Sequence, residues 1–331
     1  MHSTLRAVRA TANVSLAAGL VAVLVAGSAL AETWDMPTPY PEGNFHTQNI
    51  IQFAEDVNAA AGGDLEIVVH PAGSLIKHPE IKNAVRSGQV PVGEFLLSRL
   101  SNENPVFGVD SVPFLANSYE AAEKLWAASR DVTEALLARQ NMTILFAVPW
   151  PPQGIYADGE IASLDDMSGL KFRTYNAATE RLAQLAGAVP TQVEVPDVSQ
   201  AFATGRVEAM ITSPSTGVNI KAWDFLSHYY DTQAWLPKNV TVINVDAFEA
   251  LSPELQDVVM TAAAEAERRG WEASRTETAE KTQALSDNGI AVAAPSDALA
   301  AGLREIGTTM AEEWAERAGD EGATILQSYG N

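Results

Sequence analysis

The sequence predicts a two-lobed α/β protein with crossing strands and one long helix shared between the lobes. Three observations carry this reading. From Glu32 onward, apolar runs of strand length alternate with amphipathic helical runs in β-α-β-α order, the pattern of a parallel sheet with helices on its faces. The segment Pro149-Trp-Pro-Pro-Gln-Gly154 breaks that order and reads as a crossing between lobes. Finally, the run from Ser252-Pro253-Glu254 to Asn288-Gly289 stays helix-compatible, and roughly 35 residues at about 1.5 Å each reach about 50 Å, more than one lobe.

Taken in order, Glu32 to Met36 is a strand, Pro37 to Gly43 a turn, and Ile50, Ile51, Phe53, Ala54 and Val57 mark a helix that Gly62-Gly63 ends. Leu65 to His70 is the second strand, followed by a helix holding Ile81, Ala84 and Val85. Val90 to Leu97 is a third strand, interrupted by Glu94. A carboxylate inside such a run must be paired or face a cleft. Asp110 to Phe114 is a turn-rich loop, Ser118 to Gln140 a long helix, and Met142 to Val148 a buried strand. Beyond the crossing come a strand ending at Asn176 with its helix, a strand over Thr191 to Val195, a short helix over Asp197 to Thr204, and a strand over Val207 to Thr212. Ser213-Pro-Ser-Thr-Gly217 opens a further helix or turn. Asn239 to Val245 is the return crossing, Ile290 to Ala294 the last strand, and the remainder is helical.

The chain has 331 residues, 47% of them hydrophobic, and a formal net charge of −21. That balance excludes disorder and argues against nucleic acid and anionic membrane surfaces as partners. Arg6 and Arg9, an apolar run from Leu16 to Ala26, and Ala29-Leu30-Ala31 read as a cleavable export signal. Cleavage after Ala31 removes both arginines and no acid, taking −21 to −23. There is no cysteine, so thiol chemistry, disulfides and cysteine-bound metals are excluded. The five histidines are scattered, and His70 and His78 have no other metal ligands near them in sequence, so no metal or other cofactor is expected.

The stretch from Gly169 to Gly187 organises the rest. Leu170, Phe172 and Thr174 alternate with Lys171, Arg173 and Tyr175, and Asn176 then caps a helix bearing Leu182, Leu185 and Ala186. An anion at that junction meets a guanidinium fork and the positive end of a helix. In a chain this acidic, an anionic solute needs such a local positive site.

Asp165-Asp-Met-Ser-Gly-Leu-Lys-Phe-Arg173 resembles the Asp-Leu-Lys-Gly-Leu-Lys-hydrophobic-Arg signature of the extracytoplasmic solute-binding proteins of tripartite ATP-independent periplasmic (TRAP) transporters, the DctP-like group. Gly73-Ser74-Leu75, Val112-Pro-Phe-Leu115 and Leu251-Ser-Pro-Glu254 follow the family's order, so the resemblance covers essentially the whole chain after residue 31. It implies the periplasmic-binding-protein fold, with 1–31 as signal peptide, 32–150 with 239–278 as one lobe and 151–238 with 279–331 as the other. It also implies that Arg173 binds a ligand carboxylate with Asn176 beside it. In some members, notably sialic-acid binders, a second arginine stands where this chain has Gln153, and an asparagine near Ser213. These departures weigh against a sialic-acid-like ligand. Glu94 falls where those members also carry an acid.

On the residues themselves, Trp150, Tyr175, Phe95 and Tyr40 lie at predicted strand ends, where an open α/β sheet binds its ligand. Lys77 and His78 follow the second strand and offer a second positive contact. Glu94 suits an ammonium group or a sugar hydroxyl. The expected role is capture of a small carboxylate or zwitterion between the lobes and delivery to TRAP membrane permease subunits, without catalysis. Two other classes compete. A ligand-sensing module for a membrane receptor would use the same cleft. A periplasmic hydrolase would need a nucleophile or metal motif, and neither Gly-x-Ser-x-Gly nor His-Glu-x-x-His occurs.

Overall fold

The computed structural model describes residues 32–330; the expected export signal lies outside them. The elements are β1 (Glu32–Pro37), α1 (Phe45–Ala60), β2 (Leu65–His70), α2 (His78–Arg86), β3 (Val92–Leu96), α3 (Tyr119–Ala138), β4 (Met142–Pro149) and β5 (Gly154–Ala157). Then follow β6 (Lys171–Thr174), α4 (Ala177–Leu185), β7 (Val189–Gln192), α5 (Val198–Ala203), β8 (Ala209–Thr212), α6 (Pro214–Asn219) and β9 (His228–Tyr230). The chain closes with β10 (Lys238–Asn244), α7 (Val245–Ala250), α8 (Pro253–Asp287), β11 (Ala291–Ala293) and α9 (Asp297–Gly330).

The strands form two lobes. In the first, β1 pairs in parallel with β2, and β10 runs antiparallel between β3 and β4. In the second, the order is β11-β9-β5-β8-β6-β7, with β6 parallel to both β7 and β8 and β5 antiparallel to β8 and β9. The two-stranded sheet is thus parallel, the three-stranded one antiparallel and the six-stranded one mixed, where the β-α-β-α order predicts parallel pairing throughout. The difference comes from the crossings. Each lobe receives a strand that enters from the other lobe and runs against its neighbours.

The connections from β4 to β5 and from β9 to β10 lie side by side and bond to each other. Trp150 N–H donates to Pro237 O at 2.8 Å, Gln153 N–H to Trp235 O at 3.0 Å, and Ala234 N–H to Gln153 O at 3.0 Å. Prolines 149, 151 and 152 donate no backbone hydrogen bond, so this ribbon is held by few rungs. Sequence reasoning missed β5 and β9, which are too short to show a period. It placed a strand over Thr191 to Val195 where β7 ends at Gln192 and Val195 opens a 3-10 turn. Pro190 is tolerated in β7 because that strand is the sheet's edge. The expected loop over 110–114 begins inside the 3-10 helix Pro105–Ser111, capped by Asn104.

The helix α8 is continuous over 35 residues, about 52 Å at 1.5 Å per residue. Ser252 caps it and Pro253 opens it. Its middle packs on α1 and β4, with Asn49 Nδ2 donating to Ala266 O at 2.9 Å and Trp271 Nε1 to Ala147 O at 3.0 Å. Further along it meets α6 and β11, so it braces both lobes. Its partner in this is α9, which turns at Gly319 in a left-handed conformation. Leu299 and Leu303 join the core under β6, whereas Trp314, Ala318 and Ile325 join the core of the first lobe. Assigning all of 279–331 to the second lobe is therefore corrected: the end of α9 returns to the first, where Tyr329 Oη donates to Leu115 O at 2.9 Å.

Gly270 shows how closely α8 lies on β4. A Cβ there meets Val148 Cγ2 and lies 2.8 Å from Asn49 Nδ2. Glycine to alanine gains about 1 kcal/mol of intrinsic helix stability, but overpacking at this contact costs about 1–3 kcal/mol. Gly270→Ala should therefore lower stability by up to about 2 kcal/mol in urea unfolding; a stabilised variant would mean the helix is not pressed on the strand.

Candidate functional site

The side chains meet where the strand ends of both sheets face the ribbon. Arg173 sits on β6 between β7 and β8, in register with Thr191 and Met210, and is 1% exposed. Alternation along β6 puts Arg173 and Tyr175 on one side, and the guanidinium carbon lies 4.9 Å from the Tyr175 ring centre. Arg173 Nε donates to Val193 O at 3.0 Å, while Nη2 is buried with no hydrogen-bond partner among the described residues. Burial pulls its pKa down to about 10, so it is a cation at neutral pH. A buried guanidinium with an unpartnered N–H is costly, and an anion there removes the cost.

Around it lies a cavity of about 40 Å³, room for about three waters and suited to a compact solute. Of the residues singled out from sequence, Arg173, Tyr175, Gln153, Trp150, Tyr40 and Ser213 all line it. Tyr175 Oη donates to Gln153 Oε1 at 3.1 Å, and Gln153 Nε2 to Pro151 O at 2.8 Å. Trp150 Nε1 and Tyr40 Oη both donate to Asn239 Oδ1, at 2.9 and 3.2 Å, which fixes the two aromatic rings edge to face, 4.9 Å apart. Burial raises the Tyr40 and Tyr175 hydroxyls well out of the physiological range. Ser213 caps α6, accepting from Thr216 N–H at 3.1 Å.

Four other residues lie elsewhere. Asn176 is buried but already spent: its Oδ1 accepts from Thr179 N–H at 2.9 Å, and its Nδ2 donates to Ser98 Oγ at 2.8 Å. The α4 N-terminus is thus closed by its own cap instead of offering N–H groups to an anion. Phe95 packs with Val240 in the apolar core, because neighbouring strand residues face opposite ways. Lys77 is exposed at the start of α2 and does not line the cavity; its neighbour His78 does.

Glu94 does not line the cavity, although it shares a strand face with Leu96, which does. It is 2% exposed, accepts from Thr38 Oγ1 at 2.7 Å, and stands 3.5 Å from His46 Nδ1. Burial raises its pKa to about 7 against the pull of the Thr38 hydroxyl. The acid at the cavity is instead Glu194, which sequence reasoning passed over, as it did Arg99. Arg99 Nη1 donates to the Glu194 carboxylate at 2.9 and 3.2 Å and to Tyr175 O at 3.1 Å. His78 Nε2 accepts from Leu96 N–H at 3.3 Å, which leaves the ring proton on Nδ1, 3.6 Å from Glu194 Oε2. Burial lowers His78 below its ordinary value. For Glu194 burial pushes upward, but His78, Arg99 and Arg173 outweigh it and hold the carboxyl at about 2. No local sequence signal marks this pair, since its members are far apart in the chain.

A larger groove, about 350 Å³, runs between α4 and α9 and contains Arg181. That guanidinium is already paired with both Glu313 oxygens, at 2.6 and 3.0 Å, so it offers no free fork.

Two lobes, the ribbon that joins them and a buried arginine whose Nη2 has no partner among the described residues define a solute receptor of the binding-protein class. The chain belongs to the family described as bacterial extracellular solute-binding protein, family 7 (DctP), which it matches over residues 38–317, and this places its work outside the cytoplasm. It is similar to the crystal structure of DctP7, a Bordetella pertussis extracytoplasmic solute receptor binding pyroglutamic acid: 45% identity, 91% of this chain and 100% of that one, TM-score 0.90. It is likewise similar to a marine metagenome TRAP solute-binding protein specific for pyroglutamate, with 43% identity over 91% and 99% of the chains and a TM-score of 0.89. A Roseobacter denitrificans TRAP protein with bound β-D-glucuronate shares the fold at 20% identity over 91% and 100% of the chains, with a TM-score of 0.84.

Glu94 makes a pH test. With its pKa at about 7 folded against an ordinary 4.5, the folded state holds the proton more tightly. Its contribution is fully present below about 4.5 and is lost as pH rises through about 7, a cost approaching about 3 kcal/mol. His46, pushed down by burial, acts in the opposite sense below its ordinary 6.5, so comparison with Glu94→Gln isolates the carboxyl. Urea unfolding should show Glu94→Gln more stable than wild type by about 1–3 kcal/mol at pH 8, with the difference gone by about pH 4. An equal difference at both pH values would contradict a protonated buried Glu94.

Proposed function

We propose that the chain is the periplasmic solute-binding subunit of a TRAP transporter and that it captures a small monocarboxylate, with pyroglutamate the expected solute, for delivery to membrane permease subunits. The observation that carries this is the Arg173 guanidinium, buried, charged and with Nη2 unpartnered beside a small cavity. Support for pyroglutamate comes from the receptors that are 42–45% identical and bind it. Its carboxylate suits the arginine fork. Its ring is flat-sided and apolar, which suits Tyr40 and Trp150, and its lactam edge suits Gln153, Thr212, Ser213 and Thr216. Glu94 is enclosed with Thr38 and His46 outside the lining, and Glu194 is engaged by Arg99, so no free carboxylate calls for an ammonium group.

The reading is capture without catalysis. The histidine at the cavity, His78, is engaged by Leu96 and Glu194 and serves no nucleophile there. We further propose lobes of 32–150 with 239–278 and of 151–238 with 279 to the middle of α9, residues 1–31 being a removable export signal. Solute contacts to both lobes favour the closed arrangement by differential affinity, with the ribbon as the part that flexes.

Calorimetry on the chain from Glu32 onward should show saturable binding of pyroglutamate. Arg173→Lys should weaken it by about a hundredfold, because an ammonium cannot reproduce a planar two-point contact. Affinity unchanged within about twofold would remove Arg173 from the site.

A further inference from the structure

We propose that Glu194 is a specificity residue: by pairing with Arg99 through Nη1 it neutralises that guanidinium and leaves the cavity with one uncompensated positive charge, so that the site takes monoanions and rejects dicarboxylates. This rests on the carboxylate-binding reading above and adds which carboxylates are admitted.

The argument starts from a count of charge. Two guanidinium groups line the cavity, Arg173 and Arg99. The histidine there is neutral by its hydrogen bonding and the tyrosines keep their protons, so Glu194 is the negative charge at the wall. Two cations and one anion leave a single positive charge, which one carboxylate satisfies.

Position makes Glu194 more than a bystander. Its neighbour Val193 supplies the carbonyl that receives Arg173 Nε, so the backbone carrying Glu194 is tied to the ligand-facing arginine. Its side chain then reaches across to Arg99, on the 3-10 turn Leu97–Leu100 of the other lobe, at 2.9 Å, and to His78. Glu194 is 29% exposed and Arg99 14%, so the pair forms part of the cavity's rim. Glu194 thus stands where the second carboxylate of a diacid would seek Arg99. Such a carboxylate must displace one that the chain supplies itself, and it must lie beside the charge it displaces. A pyroglutamate-like monoanion meets neither obstacle.

A plain closing contact between lobes predicts something different. Weakening it would lower the affinity of every ligand by the same factor, whereas a charge filter changes the ratio between ligands. The chain from Glu32 onward, as wild type, Glu194→Gln, Glu194→Ser and the double variant Arg99→Met with Glu194→Met, is titrated calorimetrically with pyroglutamate, succinate and glutarate. Circular dichroism first confirms the fold of each. The serine variant is needed because a glutamine amide oxygen can still hold Arg99. Wild type should not bind the diacids measurably. Glu194→Gln or Glu194→Ser should gain succinate or glutarate binding by about tenfold or more relative to wild type, and the double variant should not, since the surplus cation leaves with the acid. The proposal is overturned if neither single variant gains diacid binding, or if the double variant gains as much as they do. Absence of pyroglutamate binding to wild type counts against the proposed solute alone, because the diacid gain is read without it.

Discussion

A guanidinium taken out of water and left with its Nη2 amino group unpaired is the constraint on which this structure turns. Arg173 is 1% exposed, its Nε is satisfied by Val193, and its Nη2 is not. An isolated buried charge is tolerated only where the rest of the fold holds it in place and something supplies an anion. The surroundings meet the first condition: parallel strands on both sides of β6, the Tyr175 ring against the guanidinium, and the carbonyl at the end of β7. In the proposed function a solute meets the second condition, which would let an otherwise strongly acidic protein hold an anion.

The lobes are arranged so that this charge lies at their meeting. The paired connections 149–154 and 231–238 carry the wall residues Trp150 and Gln153 and also join the sheets, so wall and hinge are one piece of chain. Asn239, at the start of β10, holds both Tyr40 and Trp150 by a single oxygen. The ribbon and the aromatic wall are therefore one packed unit. α8 packs on both lobes, and α9 reaches the first-lobe core from Trp314 onward, ahead of its turn at Gly319.

The electrostatics of the buried Glu94 and the half-buried Glu194 separate two roles that look alike in a sequence. Glu94 and Glu194 are both acids near strand ends. Glu94 is enclosed with Thr38 and His46 and is pushed up to about 7, whereas Glu194 faces two guanidiniums and is held at about 2. The first is a buried carboxyl that tends to keep its proton. The second is a permanent charge that sets what the cavity admits.

Much of this was legible in the chain itself. Period and caps located β2 over Leu65–His70, the Asn176 cap and the Ser252-Pro253 start of α8, because hydrogen bonding within a helix or strand depends on residues near in sequence. The same alternation put Arg173 and Tyr175 on one face, and the proline run marked the crossing. What no local pattern contained was decided by tertiary structure: which face of β3 meets the cavity, the antiparallel entry of β10, and the pairing of Arg99 with Glu194 across the cleft. Glu94 and Phe95 show the difference, for alternation says that they point opposite ways but not which of the two faces is lined by solute, core or neither. That choice is made by contacts between residues far apart in the chain, whose energies depend on burial and charge that exist only after the lobes have met.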